Sequence, residues 1–143
     1  MDQLSAFLTS VIDQSFTYCY SLSMSRPRAF DEAVVISQAR ALFAAQGYNG
    51  TSIDDLVKAT GLLRGSLYKA FGSKRNLFEL LLSEVSTNFE KTPENLDLLT
   101  VALKDLASED QQIKRLCVSI VGDEDLAFSA LLGTNLLAKM KEK

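Results

Sequence analysis

Five side chains within a short stretch, Arg64, Ser66, Tyr68, Lys69 and Lys74, have the chemistry to meet a polyanion. Arginine and lysine offer charge and N–H donors only. Serine and tyrosine hydroxyls suit phosphate oxygens or base edges. Among them stands Gly65, which costs a helix about 1 kcal/mol relative to alanine. A glycine there makes sense where the backbone must come close to something large; the plainer alternative is a solvated face with an incidental glycine. Lys74 and Arg75 open the next helix, where cations oppose the helix dipole. An external anion at that helix start would account for them.

These residues need elements to position them, and the run TSIDDLVKATGLLRGSLYKAFGSK supplies a set. A first helix is predicted from Asp31, as cap, to about Gln46, with Phe30 and Val35 at hydrophobic-staple positions. Val35, Ile36, Ala39, Leu42 and Phe43 give it one buried face, and Gly47 stops it. The second helix starts at Thr51 or Ser52, with Asp54 and Asp55 complementing its positive pole. Ile53, Leu56 and Val57 point inward, and Thr60-Gly61 ends it. A third helix over Leu63–Ala70 turns Leu67 and Phe71 to the core and leaves Arg64, Gly65, Ser66, Tyr68 and Lys69 largely outward. Two short helices around a glycine turn outline a helix-turn-helix reader of DNA.

Composition narrows the alternatives. The chain has 143 residues, 47% of them hydrophobic, with seven glycines and two prolines, which favours packed helices. The net charge of −3 is unevenly spread: residues 26–83 carry eight bases and five acids, residues 84–143 seven bases and eleven acids. Without histidine, a histidine-ligated metal site and His-dependent nucleophilic catalysis are excluded, and no paired carboxylates suggest an enzyme. No cofactor is implied. Cys19 and Cys117 read as unpaired thiols of a reducing cytosol, Cys117 as a small core residue. No apolar run approaches the roughly 20 residues of a membrane span.

Residues 1–25 differ from the rest, being rich in Ser and Thr. They are either a weak amphipathic helix over Leu4–Phe16, an unstructured arm, or a segment upstream of a start at Met24. Arg26-Pro27-Arg28 reads as a short basic arm that proline keeps extended. Beyond the basic stretch, Ser73 caps a helix with Leu77, Phe78, Leu81, Val85 and Phe89 as its stripe. Thr92-Pro93 opens another, carrying Leu96, Leu99, Ala102, Leu103 and Leu106. Ser108 is expected to cap a short helix with Ile113, Leu116, Cys117 and Ile120 inward. After Gly122-Asp123, a last helix is expected to carry Leu126, Ala130, Leu131, Leu137 and Met140.

MSRPRAFD, ARALFAAQGYNGTSIDDLVKATGL and RGSLYKAFGSKRNLF, in that order and separation, resemble the DNA-binding domain of TetR-family transcriptional regulators over about 60 of the 143 residues. The resemblance implies an all-α protein: a three-helix DNA-binding domain at 26–73, then a linker helix and a helical regulatory and dimerisation domain at 74–143, with 1–25 an N-terminal extension. It gives Arg64, Ser66 and Lys69 contacts to bases or nearby phosphates, Gly65 the close approach, and Tyr68 and Lys74 phosphate contacts. Thr51 or Ser52 would meet a phosphate at the second helix, and Arg26 and Arg28 would reach the neighbouring groove or backbone. The implied protein is a cytoplasmic, ligand-responsive repressor that binds a palindromic double-stranded DNA operator as a homodimer and answers to a small-molecule effector. The chain departs from the pattern at Leu63, where a capping Ser or Thr is usual and Thr60 offers a partial substitute, and in its shortened C-terminal half. Those departures leave a second reading, a truncated regulator that heterodimerises with a relative and binds DNA weakly.

Overall fold

A computed structural model describes residues 30–122 and 125–141; residues 1–25 with Cys19, and Arg26 and Arg28 of the basic arm, lie outside them. The described residues of the unit that begins at Glu32 form seven helices: α1 Glu32–Gln46, α2 Ile53–Thr60, α3 Arg64–Phe71, α4 Lys74–Thr87, α5 Pro93–Asp105, α6 Gln111–Val121 and α7 Asp125–Lys141. The described residues contain no strand, as an all-α reading requires.

Local signals set most of these boundaries. Ser52 caps α2 in a reciprocal capping box with Asp55: each residue's side chain accepts the other's backbone N–H. The Ser52 hydroxyl, donating to the Asp55 carboxylate at 2.6 Å, and then the Ser52 N–H hold that carboxyl below its usual range. Ser73 caps α4, and Thr92 caps α5 ahead of Pro93. Gly61 ends α2 at a φ of 67°, a left-handed turn that favours glycine.

The core forms where the apolar stripes meet. Val35, Ala39 and Phe43 of α1 are buried, as are Leu56 of α2 and Leu67 and Phe71 of α3. Leu77, Phe78, Leu81, Leu82 and Val85 of α4 join them. Phe43 and Phe78 meet edge to face at 5.1 Å, and Tyr48 packs against both rings. Helix α1 also packs against α5, so the first helix rests directly on the C-terminal half.

Two expectations for the C-terminal half need correction. Helix α6 starts at Gln111, and its cap is Asp110 rather than Ser108; the Asp110 carboxylate accepts from the N–H groups of Gln112 and Ile113. In α5 the buried face includes Leu98 and Val101, while Leu103 is exposed. In α7 the apolar residues read from the sequence lie largely outside. Leu126 is 89% exposed and Met140 75%, and Leu137 is exposed too, whereas Phe128 is buried against Phe89. Asp97 of α5 binds Lys139 and Asn135, which fixes which side of α7 turns inward. Cys117 is buried, and burial pushes its thiol up to about 11.

Candidate nucleic-acid interface

Helix α3 is anchored by Leu67 and Phe71, which leaves Arg64, Gly65, Tyr68 and Lys69 exposed and Ser66 half-buried. Gly65 has no positive φ, and a Cβ built there would meet nothing within 4 Å. The chain's own packing therefore gives no reason for glycine at this position. Arg64 forms an exposed ion pair with Asp54 of α2, an arrangement worth at most about 1 kcal/mol and easily exchanged for another anion. Lys69 has no ion pair among the described residues.

The start of α3 is bare. Leu63 stands at the N-cap, 77% exposed, with no side-chain hydrogen bond to the helix. Thr60 does not substitute. Its hydroxyl donates to the Leu56 carbonyl and accepts only a long 3.4 Å contact from Leu62 N–H, two residues before α3 begins. The four free N–H groups that open a helix thus keep their positive pole uncovered by protein side chains.

The cations opening α4 are placed differently. Lys74 Nζ donates to the carbonyls of Tyr48, at 3.0 Å, and Thr51, at 2.9 Å, and lies 4.2 Å from the centre of the Tyr48 ring. An ammonium has three N–H donors, so one remains after these bonds. Desolvation lowers the Lys74 pKa, and burial raises that of Tyr48. Arg75 forms a two-pronged pair with Asp110, at 2.6 and 3.0 Å, and also binds Glu79. The Arg75 guanidinium holds the Asp110 carboxyl down at about 2. Cations at this helix start have partners inside the chain.

Of the two candidates at the start of α2, Thr51 is 1% exposed and its hydroxyl donates to the Gly47 carbonyl at 2.7 Å. Ser52 is exposed and holds the cap. Sequence reasoning missed Tyr48, Asp105 and Asp110 as parts of this region. Asp105, the last residue of α5, accepts from the backbone N–H groups of Tyr48 and Asn49. An acid at a helix C-terminus opposes the dipole, and that was the available signal.

Helices α1–α3, with α2 and α3 joined across the Gly61 turn and one face of α3 exposed, are a helix-turn-helix unit of the DNA-binding class. Residues 35–81 match the model of the bacterial regulatory proteins, tetR family. The chain is similar to the uncharacterized HTH-type transcriptional regulator YezE of Bacillus subtilis, 43% identical over 67 residues, 47% of this chain and 33% of the relative. It is also 38% identical over 73 residues to the HTH-type transcriptional repressor ComR of Escherichia coli, 51% of this chain and 35% of ComR. With the repressor BdcR of the same species it shares 30% identity over 105 residues, 73% of this chain and 48% of BdcR. The chain thus spans a third to a half of these relatives. No solved structure is significantly similar to it. No helix of the described residues is long and apolar enough to cross a membrane.

Proposed function

We propose that the chain is a cytoplasmic DNA-binding transcriptional regulator acting as a repressor, two copies of which bind a palindromic operator. The observation that carries this is the outward face of α3, where Arg64, Tyr68 and Lys69 surround a glycine that nothing in the chain requires. A duplex lying on that face would supply the close neighbour that Gly65 accommodates. Arg64, Ser66 and Lys69 would read base edges or flanking phosphates, and Tyr68 and Ser52 would meet the backbone. Lys74 has one N–H to offer a phosphate after holding the turn. Arg26 and Arg28 would add contacts from the arm. The relatives named as repressors support the sign of regulation.

Two recognition helices in successive major grooves stand about 34–36 Å apart, which requires a partner surface elsewhere in the molecule. The exposed apolar residues Leu126, Leu137 and Met140 of α7 favour a second copy there. A groove of about 420 Å³ lined by Ala33, Ile36, Ser37, Arg40 and Glu84 is of a size that a small effector fills.

Selection of bound duplexes from a random pool tests the reading. Enrichment of a palindrome, with affinity falling steeply as salt rises, is the expected result. Absence of enrichment at low salt, with the chain still dimeric, would favour the interaction module over the DNA reader.

A further inference from the structure

The turn between α1 and α2 is held from two sides. Asp105 Oδ2 accepts the N–H of Tyr48 at 2.9 Å and that of Asn49 at 3.2 Å. From the other side, Lys74 takes the carbonyls of Tyr48 and Thr51. Gly47 makes room for the first of these contacts. It sits at a φ of 77°, and a Cβ there would stand 3.1 Å from Asp105 Oδ2. Placing a carboxylate at the C-terminal end of α5 is unfavourable for that helix, and the two N–H donors of the turn offset the cost.

We infer that Asp105 is a positioning residue for DNA reading, acting through the turn that leads into α2. The inference rests on the DNA-reading function proposed above. Pinning Tyr48 and Asn49 fixes the residues from which Thr51 is buried and Ser52 caps α2. Helix α2 in turn packs on α3 and carries Asp54, the partner of Arg64. Five residues beyond Asp105, Asp110 grips Arg75 at the start of α4. The α5–α6 corner therefore holds the reading head both before α2 and after α3, through hydrogen bonds with defined partners rather than through diffuse packing. A displacement of that corner would misplace α2 and α3 together and so change sequence discrimination.

The test uses the 143-residue chain, a duplex that the wild-type chain selects from a random pool, and a shuffled duplex of the same composition. It is run at a temperature where circular dichroism shows every variant folded. Asp105→Ala is expected to speed hydrogen exchange at the Tyr48 and Asn49 amides, and to weaken the selected duplex roughly tenfold while changing the shuffled one less than about twofold, the lower end for bonds to a charged acceptor. Asp105→Asn keeps an oxygen acceptor without the charge and should show the same changes at smaller size. If the alanine variant does not fold, the asparagine variant carries the test. Unchanged amide exchange, or equal losses on the two duplexes, would overturn the inference. A wild-type chain that prefers no duplex would overturn the DNA reading itself, and amide exchange, which needs no DNA, would still report whether Asp105 pins the turn.

Discussion

Two pairs of cations lie within a dozen residues of each other and have opposite surroundings. Arg64 and Lys69 stand on an exposed helix face, the first in a loose pair with Asp54 and the second with no ion pair among the described residues. Lys74 and Arg75 sit at the start of the next helix and are bonded to backbone carbonyls, an aromatic ring and two carboxylates of the chain itself. In sequence, both pairs look like one basic surface facing a polyanion. In the fold, one pair is available to a partner and the other joins α4 to the α1–α2 turn and to α6. The basic residues of this stretch thus divide into exposed cations, the proposed readers of DNA, and brackets bonded within the chain, and only their neighbours in space tell them apart.

The largest effect expected from this division is on the readers. Replacing both Arg64 and Lys69 by alanine should remove about 2–6 kcal/mol of binding to a selected duplex, since each good base contact contributes roughly 1–3 kcal/mol. Binding to a shuffled duplex should fall much less, and thermal stability should hardly change. Parallel titrations on the two duplexes, with a melting curve, check this; equal losses on both would erase the distinction.

Lys74→Met should behave in the opposite way. Two carbonyl acceptors lose a charged donor, a change of about 1–3 kcal/mol, so the melting temperature should drop and both duplexes should be bound more weakly. If Lys74→Met melts like the wild type and only DNA binding suffers, Lys74 belongs with the readers.

A smaller gain is expected at the start of α3. Leu63→Ser supplies the missing cap and should add about 1 kcal/mol to unfolding free energy in urea. No gain would mean that the α3 N–H groups are already satisfied in solution.

The smallest effect concerns Asp54→Asn, which releases Arg64 from an exposed pair. Stability should stay within about 0.5 kcal/mol, in line with surface pairs generally. Affinity for shuffled DNA should rise severalfold, because an acid leaves the surface offered to phosphate. A fall in that affinity would show that Asp54 helps to aim Arg64.

Much of the architecture was legible in the sequence because its signals are local. Ser52, Ser73 and Thr92 cap the helices expected of them, Gly61 ends α2, and the Leu67–Phe71 pair decides which face of α3 is outward. The missing cap at Leu63 was equally visible. Periodicity identified the apolar stripe of α7 but not whether anything in the chain covers it, and Leu126, Leu137 and Met140 turn out exposed. The brackets were hidden for another reason. Asp105 is 57 residues from Tyr48, and Asp110 is 35 from Arg75. Polar partners so far apart leave no periodic trace, and only their oddity shows: an acid at one helix end and two cations at the start of another.

The division between readers and brackets can be measured on the two lysines at once, by the rate at which an amine-acylating reagent modifies Lys69 and Lys74 in the free chain and with a selected duplex. Lys69 is expected to react quickly in the free chain and to be protected by DNA, while Lys74 reacts slowly in both. Fast reaction of Lys74 in the free chain and its protection by DNA, with Lys69 indifferent, would contradict that division.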